Sequence, residues 1–326
     1  MSSGFPVWFG GARLAAGAFL LLLLGGCAGL VPQTMGLRDA WPQGVPERAE
    51  ARSVPFFAQD EYQCGPAALA TTLVHVGARV TPDELVSRVY LPGREGSLQA
   101  EMLAAPRRYG LVSYQIAPRF DELLREVAAG NPVIVLQDIG IGPITRWHYA
   151  VVVGFDYPAG ELYLRSGTTE RLAIPFTIFE HTWKKGGYWA MLVMPPGRLP
   201  ASADESRYVA AIAAMERVGD AEAARRAHAA ALQRWPGNVV ASIGLANRHY
   251  ALGELAQAEQ VLRRALVVHP DSIAVINNLA QTLSDMGRNE EALALIAQAA
   301  APDGSPFAAA VRETRASILQ RLGRSG

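Results

Sequence analysis

Cys64 and His148 are the side chains in this sequence that could together break an acyl bond. Cys64 stands in Gln59-Asp60-Glu61-Tyr62-Gln63-Cys64-Gly65-Pro66-Ala67-Ala68-Leu69, between a polar turn and an apolar run. Ala68, Leu69, Thr72, Leu73 and Val76 recur at helical spacing, which predicts a buried helix over 67–76. Pro66 suits its first turn, where a missing N–H costs nothing. Cys64 then sits at a helix N-terminus. Unpaired N–H groups and the helix dipole favour a thiolate there, so a thiol pKa below that of a free cysteine is expected. A thiolate nucleophile needs a base. The histidines are at 75, 148, 181, 228, 249 and 269. His75 is about 16 Å along the same helix from Cys64. His181 lies beside Lys184 and Lys185 in an expected exposed turn, and the last three fall in a helical region. His148 opens a strand after a Gly-Pro loop, where its ring can face a cleft.

An attacked carbonyl also needs donors for the developing oxyanion. The Cys64 N–H is one, and the side chain of Gln59 or Gln63 could be another.

Composition narrows the classes of function. Lys+Arg and Asp+Glu both number 30, and no basic stripe stands out, which argues against nucleic acid as a partner. No histidine pair has ligand spacing and the sequence holds two cysteines, so neither a metal nor another cofactor is expected. Arg13 is the sole charge before a run of about ten apolar residues from Leu14 to Leu24, too short for a membrane span and suited to an export signal. It ends Leu24-Gly25-Gly26-Cys27, which resembles a bacterial lipoprotein signal. That resemblance implies lipidation of Cys27, and Ala28 in the next position implies the periplasmic face of a Gram-negative outer membrane. Cys64 is then left without a disulfide partner in an oxidising compartment, which points to a reactive role.

The elements that must position these residues divide the chain. Residues 1–27 are the signal, 28–52 a Pro- and Gly-rich tether, and 53–197 a domain of helices followed by strands. Helices are expected over the cysteine segment, from Thr81 as N-cap to about Tyr90, over 97–109 and over 120–129. The period then changes to two: strands are expected at 133–137, 148–155, 161–165 and 188–194. This order is α+β with an antiparallel sheet. After a linker at 198–204, Gly219, Gly253 and Gly287 stand 34 residues apart, as do Ala224, Ala258 and Ala292. This period resembles tetratricopeptide repeats, here at 205–238, 239–272 and 273–306 with a capping helix from Phe307, an all-α solenoid.

The stretches Val54-Pro-Phe-Phe-Ala-Gln59…Cys64-Gly-Pro-Ala-Ala-Leu69 and Trp147-His148-Tyr-Ala-Val-Val-Val-Gly-Phe-Asp156 resemble the bacteriocin-processing cysteine peptidases, papain-like domains that remove leader peptides after a double glycine. The resemblance covers about residues 53–196. It implies Cys64 as nucleophile, His148 as base and Gln59 as oxyanion donor. Two departures stand out. Gln59 is five residues before the cysteine rather than six, and the family's Asp-Pro after the next strand is replaced by Leu164-Arg165-Ser166-Gly167. Ser166 lies in the right stretch to orient the imidazole instead, whereas Asp156 falls at the far end of the histidine's own strand. The expectation is a membrane-anchored cysteine peptidase, cleaving after small residues such as Gly-Gly, with repeats that recruit a peptide substrate or protein partner. The alternative is an inactive peptidase fold serving as an interaction lipoprotein.

Overall fold

A computed structural model describes residues 31–58, 63–218, 220–299 and 304–324. The chain forms two compact units. The first comprises the residues up to His75, Val80–Gly96 and Ile116–Met191; the second comprises Val76–Arg79, Ser97–Gln115 and the chain from Leu192 onward.

The first unit is built on an antiparallel sheet. Strands β5 (Val133–Asp138), β6 (Trp147–Asp156), β7 (Glu161–Ser166) and β8 (Thr169–Pro175) lie side by side in chain order, and the start of β9 (Ala190–Met194) pairs with β5. The apolar alternation predicts the central strands to within two residues. Strand β8 was not expected, since its residues are almost all exposed and present no buried face.

Residues 31–52 are not the loose tether expected of a Pro- and Gly-rich stretch. They form helix α1 (Pro32–Asp39) and strand β1 (Arg48–Glu50), which pairs with the second half of β6. The reason lies far away in sequence. Buried Glu180 accepts hydrogen bonds from the Gln33 and Thr34 N–H groups at 2.9 and 2.6 Å, so a carboxylate caps the start of α1 where the dipole favours it. Trp41 packs against Tyr157 with ring centroids 4.2 Å apart and fixes the connection between α1 and β1.

Helix α2 (Cys64–His75) starts at the cysteine and ends before Val76. Residues 65–73 are buried on every side rather than on one face. Each of Leu69 and Leu73, both fully buried, contributes about 1.5–3 kcal/mol. Helix α3 (Pro82–Val89) opens with the capping box of Thr81 and Glu84 that its sequence signals, and the short strands β2 (Tyr90–Leu91) and β3 (Gly96–Ser97) pair after it. The expected long helix over 97–109 is shorter: α4 (Gln99–Ala104) passes into a 3₁₀ turn at Ala105–Tyr109, where Pro106 interrupts the α-helical ladder. Helix α5 (Phe120–Ala128) follows β4 (Val112–Gln115), a strand the sequence pattern did not signal.

The expected turn around His181 is instead helix α6 (Phe176–Lys185). Its Phe176, Phe179 and Trp183 are buried at helical spacing, and Phe120 meets their rings at 5.4, 5.6 and 6.0 Å. Strand β9 begins at Ala190 because Tyr188 takes a left-handed conformation, φ 55°, and donates its N–H to Trp183 O.

In the second unit, β4 neighbours β9, and Tyr208 packs between Tyr114 and Trp235 at 6.3 and 6.0 Å. Helix pairs then repeat: α7 (Glu205–Glu216) with α8 (Ala221–Arg234), α9 (Val239–Ala251) with α10 (Leu255–Val268), and α11 (Ile273–Asp285) with α12 (Asn289–Ile296), followed by α13 (Ala308–Arg321). Ala224, Ala258 and Ala292 are fully buried, as close helix packing requires. Gly253 and Gly287 are left-handed just past α9 and α11, where any residue with a Cβ is strained. Among the described residues no helix is long and apolar enough to cross a membrane.

Candidate active site

Helix α2 packs against strand β6, which carries His148 at its second position. Cys64 is partly exposed and carries a free thiol. Burial raises the thiol pKa above its ordinary value, and hydrogen bonds from the backbone of Tyr149, Gly65 and Cys64 itself oppose that rise without cancelling it. The helix N-terminus is therefore where the sequence puts it, but the depressed thiol pKa expected there is not found. Desolvation outweighs the dipole.

The contact with Tyr149 places the sulfur beside the residue that follows His148. Burial, helped by the nearby Arg146 charge, pushes the imidazole of His148 down to about 4. At neutral pH the resting site therefore holds a neutral thiol and a neutral imidazole. Ser166, at the end of β7, sits with its Oγ 2.8 Å from His148 Nε2. When Nε2 carries the proton it donates to this hydroxyl, and Nδ1 keeps its lone pair.

A β-bulge makes that contact geometrically possible. Asp156, Phe155 and Gly154 pair with Glu161, Leu162 and Tyr163, but Val152 and Val151 pair with Leu164 and Arg165. Val153 is the extra residue. Continued past it, this register puts Ser166 opposite Ala150, two residues from His148 and so on the same face. Without the bulge Ser166 would fall opposite Val151, on the other face. Gly154 accommodates β1 at the same point, since a Cβ there would lie 2.9 Å from Ala49 O.

Asp156 is not at the site. It bonds Arg48 Nε at 2.8 Å and the Ala159 N–H at 3.0 Å, at the opposite end of β6. Gln63 precedes α2 and its carbonyl accepts from Ala67 N at 3.2 Å. Gln59 and Cys27 lie outside the described residues. His181 is exposed on α6, and His75 closes α2. The structure thus brings Cys64, His148 and Ser166 to one region and leaves the other candidates elsewhere.

Two site features were not expected. Arg146 bears electrostatically on both Cys64 and His148. Asp138 holds the loop that presents it: Oδ1 accepts the N–H groups of Gly140 and Arg146 at 2.9 and 2.8 Å, and Oδ2 faces Lys185 Nζ at 3.6 Å. Those bonds keep the Asp138 carboxyl below its usual pKa. The available sequence signal was Asp138-Ile139-Gly140, an acid two residues before a glycine N–H in a turn. Among the described residues, no group of three or more His, Cys, Asp or Glu side chains could hold a metal ion.

A free cysteine opening a buried helix, a histidine on the adjoining strand and a sheet in hairpin order define a peptidase-type fold. The family comparison agrees. Residues 51–191 match the peptidase C39-like family, and residues 202–276 and 272–301 match tetratricopeptide-repeat families. The chain carries a C39-like peptidase domain followed by tetratricopeptide repeats. Similar solved structures divide between the two parts. A double-glycine-motif protease from an AMS/PCAT transporter, solved with a leader peptide, is 21% identical over 45% of this chain and 94% of its own, with a TM-score of 0.35. The peptidase domain of Streptococcus ComA is 19% identical over 44% of this chain and 98% of its own, with a TM-score of 0.34. A tetratricopeptide protein of Thermus thermophilus, TTC0263, is 20% identical over 37% of this chain and 66% of its own, with a TM-score of 0.33. No curated protein matches the chain.

Proposed function

We propose that the protein is a cysteine peptidase in which Cys64 attacks a peptide carbonyl with His148 as its base. The observation that carries this is the His148 Nε2–Ser166 Oγ contact beside the helix-opening Cys64. Ser166 holds the tautomer with the proton on Nε2, so Nδ1 takes the thiol proton as sulfur adds to the carbonyl carbon. The imidazolium then protonates the leaving amine as the C–N bond breaks. Water, deprotonated by the same imidazole, releases the acyl group from sulfur. The Cys64 N–H stabilises the oxyanion, with the Gln59 amide as second donor. A peptide substrate, cut after small residues such as Gly-Gly, fits the nature of the related fold. The repeats hold the substrate or a protein partner. Lipidated Cys27 anchors the protein at the periplasmic face of an outer membrane.

A second reading, a peptidase fold kept as a scaffold, is favoured by one observation: burial opposes both charges of a thiolate–imidazolium pair. An activity probe separates the two. A peptide electrophile is expected to label wild type, not Cys64→Ala, and at least 100-fold more slowly His148→Ala, the lower end of what a positioned base supplies. Equal labelling of wild type and His148→Ala would select the scaffold. For the anchor, a fatty-acid analogue fed to cells is expected to label wild type and not Cys27→Ala; persistent labelling of the variant refutes it.

A further inference from the structure

Arg146 stands two residues before His148. Its carbonyl accepts the Ile139 N–H at 2.9 Å, so the β5–β6 ladder continues through it. Residues two apart on a strand share a face, which places the Arg146 and His148 side chains on the same side. Its main chain is held by Asp138, yet the residue itself is exposed. No ion pair among the described residues uses its guanidinium. Asp138, the acid nearest in the loop, is committed to two N–H groups and Lys185, and residues 139–146 contain no acidic side chain. Among the described residues the site therefore carries a cation with no ion-pair partner, held by its main chain and exposed to solvent.

We propose that Arg146 is a specificity residue that binds a carboxylate of the substrate close to the scissile bond, an inference that rests on the peptidase reading above. A guanidinium presents paired N–H donors that match a carboxylate's two oxygens. Two sources offer that chemistry: an acidic side chain near the bond, or the free C-terminus of a short peptide. The effect of Arg146 on both Cys64 and His148 supports its closeness to the reacting groups.

The test uses the full chain and two probes of similar size. Iodoacetate is an anion and iodoacetamide is neutral, and both alkylate Cys64. The ratio of their rates is expected to fall about fivefold in Arg146→Gln, the factor equivalent to a charge pair at contact in water. It should be kept by Arg146→Lys and lost in high salt. An unchanged ratio in Arg146→Gln overturns the proposal whether or not any peptide is cleaved, and so separates its failure from that of the peptidase reading. Peptides differing as Glu against Gln beside the bond, and as free acid against C-terminal amide, identify the source. The preferred acid should lose its KM advantage over its uncharged counterpart in Arg146→Gln. If peptides are cleaved and Arg146→Gln changes KM for neither carboxylate, Arg146 does not select substrate and the proposal is overturned.

Discussion

Replacing Ser166 by Asp should turn a neutral resting pair into a charged one. In the wild type, burial holds the thiol above its ordinary pKa and the imidazole at about 4, so proton transfer from sulfur to ring is uphill. Mutual attraction of the two charges returns part of that cost. The neutral pair therefore predominates. Ser166 Oγ is 2.8 Å from Nε2, so an Asp carboxylate would lie within the range where an opposite charge raises an imidazole pKa by about one to three units. That is about 1.4–4 kcal/mol in favour of the ion pair. The assay is the iodoacetamide rate between pH 4.5 and 9. Wild type should fall steeply below pH 8 towards a low plateau. Ser166→Asp should raise that plateau about ten- to hundredfold at pH 5–6. A wild-type rate at pH 5.5 already close to its value at pH 9 would mean the ion pair is preformed and the burial argument wrong. A variant profile that overlays wild type would mean the serine contact does not orient the ring.

Two further substitutions check burial and packing. The folded His148 pKa lies below the unfolded value of 6.5, so only the unfolded chain gains a proton between them; stability is full above pH 6.5 and falls by about 3 kcal/mol as pH drops to 4. Urea unfolding of His148→Gln should lack that component, and identical pH slopes for the two proteins would show that the ring is not buried neutral. Ala258→Phe should overpack the fully buried contact between α9 and α10 and cost about 1–3 kcal/mol, read as a lower thermal midpoint by helical circular dichroism. The control Val267→Ala, on an 83% exposed side chain, should stay within about 0.5 kcal/mol; equal midpoints for all three proteins would remove the packing claim.

What the sequence reveals and what it hides follow one division, between local pattern and tertiary environment. Pro66 and the apolar run after it mark the start of α2, and the 34-residue spacing of Ala224, Ala258 and Ala292 marks the helix pairs. Ser166 is legible only as the polar residue left in a stretch where the related family has a carboxylate. Helix α1 escapes because its N-terminal cap is Glu180, 146 residues from Thr34. Helix α6 begins Phe-Thr-Ile-Phe, weak helix formers, and declares itself only in the spacing of Phe176, Phe179 and Trp183. Strand β8 is exposed along its length and leaves no alternation to detect. The thiol pKa goes the other way because a dipole can be inferred from helix position, whereas the depth of burial depends on the elements packed over it.

The bulge at Val153 gives the domain a constraint on length separate from its constraint on chemistry. Side chains between Val151 and Leu164 can be exchanged for others of similar size without changing which face any residue presents. Losing one residue is different in kind. Deleting Leu164 from β7 would put Ser166 opposite Val151 and turn it away from His148, although every site residue would still be encoded, whereas deleting Val153 only removes the residue that β7 skips and leaves Ser166 opposite Ala150. Mutational tolerance across this hairpin should therefore split by class of lesion and by strand: forgiving of missense changes and of the loss of the extra residue in β6, and intolerant of a single-codon deletion in β7. An alignment that scored residue identity alone would miss a loss of parity that leaves all three side chains in place on paper and separates two of them in space.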